Sequence, residues 1–433
     1  MGEVVDLKAV AKGDSGPRTR SPSKRSAPAR TSKRSGPRRD KTALVLGGGG
    51  FTGGVYEIGA LRALDLLAAN RTINQFDVYV GTSAGAFVAS LCANGVTPEE
   101  MMRVVTHQGP QAFRDIDLGD LLRLNLAEVV RTGVRLPLRV ASLARQLLPQ
   151  LGQVSLIDIL LGLAEVLPSG AYTGEGIERY LHMVLAEDGR SDDFRALAHE
   201  LYLVATDLDS CERIVFGADG FEDVPISKAV RASGALPMVY APVKIGDREL
   251  IDGGIVSTTN LDIAVEAGAA LVIVINPIVP FVNDREADAQ DDGRSPRRIS
   301  DMGFSKIGYQ AFKLLGHRRL HELASMWEER YPGVDIVLIE PEPTDELMFE
   351  TSIMSFSSRI EIARHGFQSV TYHLLNEYER YRDIWARHGI EISERRVRRV
   401  VSHFEAEEEQ VGAWRKILEG TTGALLRQSG SAG

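Results

Sequence analysis

The chain reads as an α/β protein: three layers, with a mostly parallel sheet and helices on both of its faces. Three observations predict this. Short apolar runs recur at 43–46, 76–80, 201–206, 248–251, 270–276 and 334–339, and helical patterns separate most of them. Most of these runs, such as ALVIVIN at 270–276, are near-continuous rather than alternating, which marks strands covered on both faces. The composition, 44% hydrophobic and 25% charged over 433 residues, is that of a globular chain. That length has room for two or three domains, or for one large α/β domain with insertions.

The N-terminal segment stands apart. Residues 1–41 carry twelve Lys/Arg against four acids, a net +8, which leaves −17 for the rest of a chain whose total is −9. Composed mainly of Ser, Pro, Gly, Arg and Lys, it cannot bury enough apolar area to offset its ordering entropy and is expected to be disordered. It has no apolar core of a secretory signal, and Asp6 occupies the position where N-myristoylation needs Ser or Thr. No stretch approaches the ~18 apolar residues of a membrane span. Two cysteines, Cys92 and Cys211, make neither a disulfide framework nor a metal cluster. A cytoplasmic protein without metal or cofactor is expected.

Folded sequence is expected from Thr42. The run 43–46 ends in Gly47–Gly50, and a helical pattern follows through Val55, Ile58, Leu61, Leu64 and Leu67. The run 76–80 leads into Gly81-Thr82-Ser83-Ala84-Gly85 and a helix over 86–93. Thr97-Pro98-Glu99-Glu100 is a capping box with proline at the first helical position, so a helix starts there. A Leu-rich insertion at about 110–170 places Arg131, Arg135 and Arg139 on one helix face. Pro137 and Pro149 interrupt it and no aromatic occurs between Phe113 and Tyr172, so a packed helical cap is favoured over a helix lying on lipid. Gly246-Asp247 marks a hairpin turn, and 284–299 a polar loop. The catalytic domain is taken as 42–380, and 381–433 as a charged helical extension.

Gly81-x-Ser83-x-Gly85, after a strand and opening a helix, has the context of a nucleophile elbow. The sharp turn lifts the serine hydroxyl off the sheet, and glycines two before and two after let the chain fold back. The helix start favours developing negative charge and offers the Ala84 amide to an oxyanion. A tight glycine turn with an incidental serine is the alternative; the strand–turn–helix context favours the nucleophile. Gly48-x-Gly50-x-x-Gly53 also fits a dinucleotide fingerprint. That reading wants an acid ending the next strand, where Asp77 instead stands near its start, so the glycine amides are assigned to an oxyanion hole. The nine histidines lie mostly in helical, charged surroundings and read as surface or packing residues. Asp252 ends the run RELI before Gly253-Gly254, a carboxylate with backbone room beside it and a candidate base for Ser83.

Together these residues resemble the patatin-like phospholipase family, from about Thr42 to about Leu375. Gly48-Gly49-Gly50-Phe51-Thr52-Gly53 is similar to its oxyanion loop, Gly81–Gly85 to its nucleophile motif, and Asp252-Gly253-Gly254 to its base motif. Arg231-Ala232-Ser233-Gly234-Ala235-Leu236-Pro237 resembles the stretch before the aspartate strand. The resemblance implies a patatin-like fold and hydrolysis of fatty-acyl esters of phospholipids or related lipids by a Ser83–Asp252 dyad. It implies an oxyanion hole from Gly48, Gly49, Gly50 and Ala84, with Gly53, Gly81, Gly85, Gly253 and Gly254 supporting the motifs. Two departures stand out. Thr52 replaces the usual Arg or Lys, and Ser257-Thr258-Thr259-Asn260 replaces an Asn-Asn-x-Pro-like stretch.

The competing readings are a catalytically silent lipid-binding scaffold of the same fold and, further off, a nucleotide-binding oxidoreductase. Transacylase and thioesterase chemistry differ from hydrolysis only in the acyl acceptor or donor. Lipid is the expected substrate, with peripheral contact to anionic membrane through the basic tail and insertion; no specific nucleic-acid partner is expected.

Overall fold

The structure, a computed structural model, describes residues 40–106, 169–283 and 298–404. Residues 1–39 of the basic tail, nearly all of the insertion, most of the polar loop and the end of the C-terminal extension lie outside the described residues; Lys41, counted with the tail, opens the first strand.

The strands are β1 (Lys41–Leu46), β2 (Val78–Thr82), β3 (Gly170–Tyr172), β4 (Glu200–Asp207), β5 (Arg213–Phe216), β6 (Met238–Tyr240), β7 (Val243–Ile245), β8 (Arg248–Asp252), β9 (Ala269–Ile275) and β10 (Asp335–Ile339). The principal helices are α1 (Gly50–Leu67), α2 (Ala84–Ala93), α3 (Pro98–Val105), α4 (Glu175–Leu185), α5 (Ile226–Ser233), α6 (Leu261–Glu266), α7 (Phe304–Ala324), α8 (Arg359–Asn376) and α9 (Tyr378–Arg387). Eight strands form one sheet with the hydrogen-bonded order β10-β9-β1-β2-β4-β8-β7, and β5 also pairs with β4. From β10 to β4 all pairings are parallel; β5, β7 and β8 join antiparallel. The sheet is therefore mixed with a parallel majority, as expected. β3 and β6 pair separately.

Strand alternation sorts the core into two halves. Leu44, Leu46, Leu271, Ile273 and Ile275 face the larger cluster, beneath α1, α2, α4, α5 and α8. Ala43, Val45, Val272 and Val274 face the smaller one, covered by Leu261, Ile263 and Val265 of α6. The two clusters are the interfaces of a three-layer sandwich. α3 starts on its expected box: Thr97 Oγ1 accepts from the Glu100 amide at 3.2 Å, and Glu100 Oε2 accepts from the Thr97 amide at 2.8 Å.

The boundary drawn near 380 does not divide the core. Trp385, Ile390, Val397 and Val401 are buried in the larger cluster, so the charged pattern there is only the solvent face of packed helices. Strand β2 also starts two residues later than the apolar run, because Asp77 turns its carboxylate onto the Thr42 amide and hydroxyl at 2.7 and 2.8 Å. Among the described residues no helix is long and apolar enough to cross a membrane.

The register around β4 positions the site. A strand residue has one lateral neighbour on each side. Leu203 pairs with Gly81 of β2 and with Phe216 of β5, so β2 and β5 take opposite edges of β4. Ala205 pairs with Ile214 of β5 and with Asp252 of β8, so β8 lies on the same edge as β2. Thr82 stops opposite Val204, and β8, running the other way, stops at Asp252 opposite Ala205. The two strands end head to head.

Candidate active site

Ser83 occupies the turn between β2 and α2 with φ 56° and ψ −122°, a backbone conformation few non-glycine residues adopt. Its neighbours permit the turn. A Cβ on Gly81 would lie 2.5 Å from Ala86 Cα, and one on Gly85 would lie 2.4 Å from Gly47 O. The Ser83 amide donates to Ser233 Oγ at 2.9 Å, and that hydroxyl donates to Val204 O at 2.6 Å. Ser233, at the end of α5, thus ties the elbow to β4.

Ser83 Oγ donates to Asp252 Oδ2 at 2.5 Å, and Asp252 Oδ1 accepts from the Gly254 amide at 2.7 Å. Both residues are buried, Ser83 at 8% and Asp252 at 3% exposure. Burial pushes the Asp252 carboxyl up to about 6, with the Ser83 hydroxyl and the Gly254 amide opposing the rise. Gly253 must be glycine, since a Cβ there would meet Val204 O at 2.3 Å.

The glycine loop lies beside the elbow, where a Cβ on Gly48 would come within 3.4 Å of Ser83 Cβ. Gly49 and Gly50 adopt φ of 148° and 63°, and α1 begins at Gly50. The expectation for Gly48 needs narrowing: its amide donates to Thr258 O at 3.2 Å and is not available to an oxyanion. The amides of Gly49 and Gly50 meet no protein acceptor among the described residues, and Ala84 heads α2, where amides lack intrahelical partners. Gly53 packs on Pro277, 3.2 Å from where its Cβ would be. Thr52, in place of the cation, is buried and fastens the loop: its hydroxyl donates to Ser352 O at 2.6 Å and its amide to Ile353 O at 3.1 Å.

The second departure is also a fastening. Asn260 is buried, and its side-chain amide donates to Thr82 Oγ1 at 3.0 Å and to Ser257 O at 2.8 Å. The aspartate loop is thereby tied to the strand that carries Ser83. These anchors, with Ser233, were missed by sequence reasoning. The family resemblance singled out Thr52 and 257–260 as departures and 231–237 as a matching stretch, without assigning any of them this fastening role.

Ser83 and Asp252 open on a cavity of about 670 Å³ whose walls are almost wholly apolar, including Phe51, Ile58, Phe87, Val88, Tyr309 and Phe312. α1, α2 and α7 supply these side chains. No described histidine lines the cavity; His182, His365 and His388 instead pair with Asp192, Asp345 and Asp335. Asp77, held against Thr42, is not in the place a ribose-binding acid would occupy, and the dinucleotide reading loses its support.

A strained serine at a strand–helix turn, a carboxylate on its hydroxyl and an apolar cavity beside them thus come together at one place in the fold. Known proteins agree at the level of family. The sequence pattern of the patatin-like phospholipases matches residues 44–265, half of the chain. The probable lipid hydrolase 463L of Invertebrate iridescent virus 6 is 24% identical over 229 residues, covering 52% of this chain and 63% of its own. The uncharacterized protein YqhO of Bacillus subtilis (strain 168) is 25% identical over 221 residues, 48% of this chain and 64% of its own. The chain thus spans less than two thirds of either relative. Among solved structures, VipD from Legionella pneumophila aligns with a TM-score of 0.36 and 18% identity, over 77% of this chain and 66% of that one. The match over 44–265 takes in the glycine loop, the elbow and the aspartate turn together, and the chain belongs to the patatin-like phospholipase family.

Proposed function

We propose that the protein is a serine acyl hydrolase that cleaves fatty-acyl esters of phospholipids or related lipids through Ser83 and Asp252. The observation that carries the reading is the 2.5 Å contact between Ser83 Oγ and Asp252 Oδ2, buried at the edge of an apolar cavity. In this mechanism the acyl chain lies against the apolar walls and Ser83 Oγ attacks the ester carbonyl while its proton passes to Asp252 Oδ2. The amides of Gly49, Gly50 and Ala84 receive the negative charge on the carbonyl oxygen. Collapse of the tetrahedral intermediate breaks the ester C–O bond, and the proton on Asp252 leaves with the alcohol. Water, deprotonated by the same carboxylate, then attacks the acyl-enzyme and restores Ser83.

The basic tail and insertion support peripheral contact with anionic membrane as a further part of this proposal. Sedimentation with acidic vesicles should weaken as salt rises, since exposed charges are screened beyond ~10 Å at 0.1 M. The test of the chemistry assumes no substrate. Intact mass after exposure to a fluorophosphonate should show one adduct on the wild type and none on Ser83→Ala, with both variants melting alike. An unlabelled wild type would favour the silent scaffold; labelling that survives in Ser83→Ala would remove Ser83 from the mechanism.

A further inference from the structure

Away from Ser83, α7 brings two histidines, one helical turn apart, to the carboxyl ends of β9 and β10. Gln310, on the same face of α7, ties it to the Phe281 backbone, donating to its carbonyl at 2.7 Å and accepting from its amide at 3.1 Å. His317 and His321 follow on that face, at i and i+4. Opposite them is Glu340, the residue after β10. His321 Nε2 lies 2.8 Å from Glu340 Oε2, and His317 Nε2 lies 3.8 Å from the same oxygen. The two rings are 4.1 Å apart. One ligand atom from each of the three residues falls within 4.8 Å of the other two.

We propose that His317, His321 and Glu340 form a zinc site that clamps α7 to the strand ends of the sheet. The spacing supports it. Tetrahedral bonds of about 2.0–2.1 Å hold ligand atoms about 3.3–3.4 Å apart, and the two nitrogen–oxygen distances here lie on either side of that value. At 3.8 Å His317 is too far from the carboxylate for a hydrogen bond yet faces it, a gap an ion closes. Paired histidines four residues apart on one helix face are a recurrent zinc-holding geometry. The carboxylate is also oriented from behind. Glu340 Oε1 accepts from Asn276 Nδ2 at 2.6 Å, leaving Oε2 toward the imidazoles, and the Asn276 amide donates to Ile339 O at 2.9 Å. Supports of this kind fix ligand geometry in metal sites. The neighbouring cations are committed elsewhere: Arg318 pairs with Glu322, and Arg319 donates to Val256 O. Three protein ligands leave one coordination position for water. The clamp has a consequence for the cavity, because Tyr309 and Phe312 of the same helix form part of its wall.

The test uses the full chain, stripped of metal with a chelator and titrated with zinc chloride by calorimetry, with cobalt(II) absorption as a second readout. The expected result is a saturable equivalent on the wild type, a raised melting temperature, and the visible bands of four-coordinate cobalt. His317→Gln and Glu340→Gln, which keep the side-chain volume, should each remove that equivalent while melting like the metal-free wild type. Asn276→Ala should weaken it about 10–100-fold. Absence of saturable binding on the wild type overturns the proposal. So does binding that persists in both His317→Gln and Glu340→Gln, because the zinc would then sit on other histidines. Neither outcome bears on fluorophosphonate labelling of Ser83, so this site and the proposed hydrolase stand or fall separately.

Discussion

Asp252 meets Ser83 because β8 and β2 run toward each other along one edge of β4 and stop at adjacent residues, Ala205 and Val204. An aspartate on a strand antiparallel to its neighbour thus sits at the carboxyl end of the parallel one. The arrangement also leaves the carboxyl buried, raised to about 6. A base must be ionised, so kcat/KM should fall as pH drops through about 6, along a single ionisation, and be level above it. Asp252→Asn should lose most activity at every pH. A midpoint near 7 that vanishes on replacing a histidine would assign the base elsewhere.

The same carboxyl makes a stability prediction of opposite sense. Its folded pKa lies above the unfolded value of about 3.9, so its stabilising contribution is complete below that value and is lost as pH rises through about 6. Asp252→Asn, free of this loss, should gain on the wild type between pH 4 and pH 8, by about 2–3 kcal/mol. Thermal melting at the two pH values measures the gap. A gap that narrows toward pH 8 is the contrary result.

Ser233 should act as a positioning residue. Ser233→Ala leaves the Ser83 amide and Val204 O without the hydroxyl that joins them, a loss of about 1–3 kcal/mol for buried groups. With the elbow less firmly held, kcat should drop roughly tenfold or more while KM changes little, and fluorophosphonate labelling should slow in parallel. Equal kcat beside a lowered melting temperature would show that the hydroxyl serves the fold alone.

Glu57 is fully buried on α1, and neither carboxyl oxygen makes a hydrogen bond of ordinary geometry among the described residues. Burial holds its pKa well above the ordinary carboxylate range, with the Gly47 amide opposing. An unpaired buried charge is costly enough that the group keeps its proton. Its contribution to stability is complete below the unfolded value of about 4.3 and is lost as pH rises from there toward the raised folded value, so Glu57→Gln should match the wild type in melting temperature near pH 4 and exceed it increasingly toward pH 8. A variant destabilised at both pH values would mean that Glu57 is a buried carboxylate with a partner.

What was legible in the sequence follows the range of the forces involved. β1, β9 and most of β4 are buried on both faces and so appear as unbroken apolar runs; β10, the edge strand, is apolar too but buried on one face only. β5, four residues at the sheet margin, and β3 and β6, three each, carry no such signature and were not anticipated. The elbow and the glycine loop are legible as local motifs, although some of the atoms that demand glycine there, Gly47 O for Gly85 and Ile353 O for Gly50, belong to distant parts of the chain. Ser233 and Asn260 are different, because their partners lie 150 and 178 residues distant. Nor does a pattern reveal that β8 would abut β2: Gly246-Asp247 announces the hairpin, but its register on β4 is set only in the folded sheet.

The close crossing of α1 and α8 yields the last prediction. A Cβ on Gly59 would lie 2.2 Å from Ala363 O, and one on Gly366 would lie 2.5 Å from Tyr56 O. The two helix backbones touch through paired glycines, and the helices cannot separate without opening the larger core. Gly59→Ala should destabilise by about 1–3 kcal/mol, because the backbone carbonyl it meets cannot swing aside as a side chain could. Gly308, on α7, is the control, since a Cβ there meets nothing within 4 Å. Gly308→Ala should raise stability by about 0.4–1 kcal/mol through the loss of unfolded-chain freedom. Urea unfolding of both variants beside the wild type decides it. Midpoints shifting the same way would mean that helix propensity, rather than the crossing, governs Gly59.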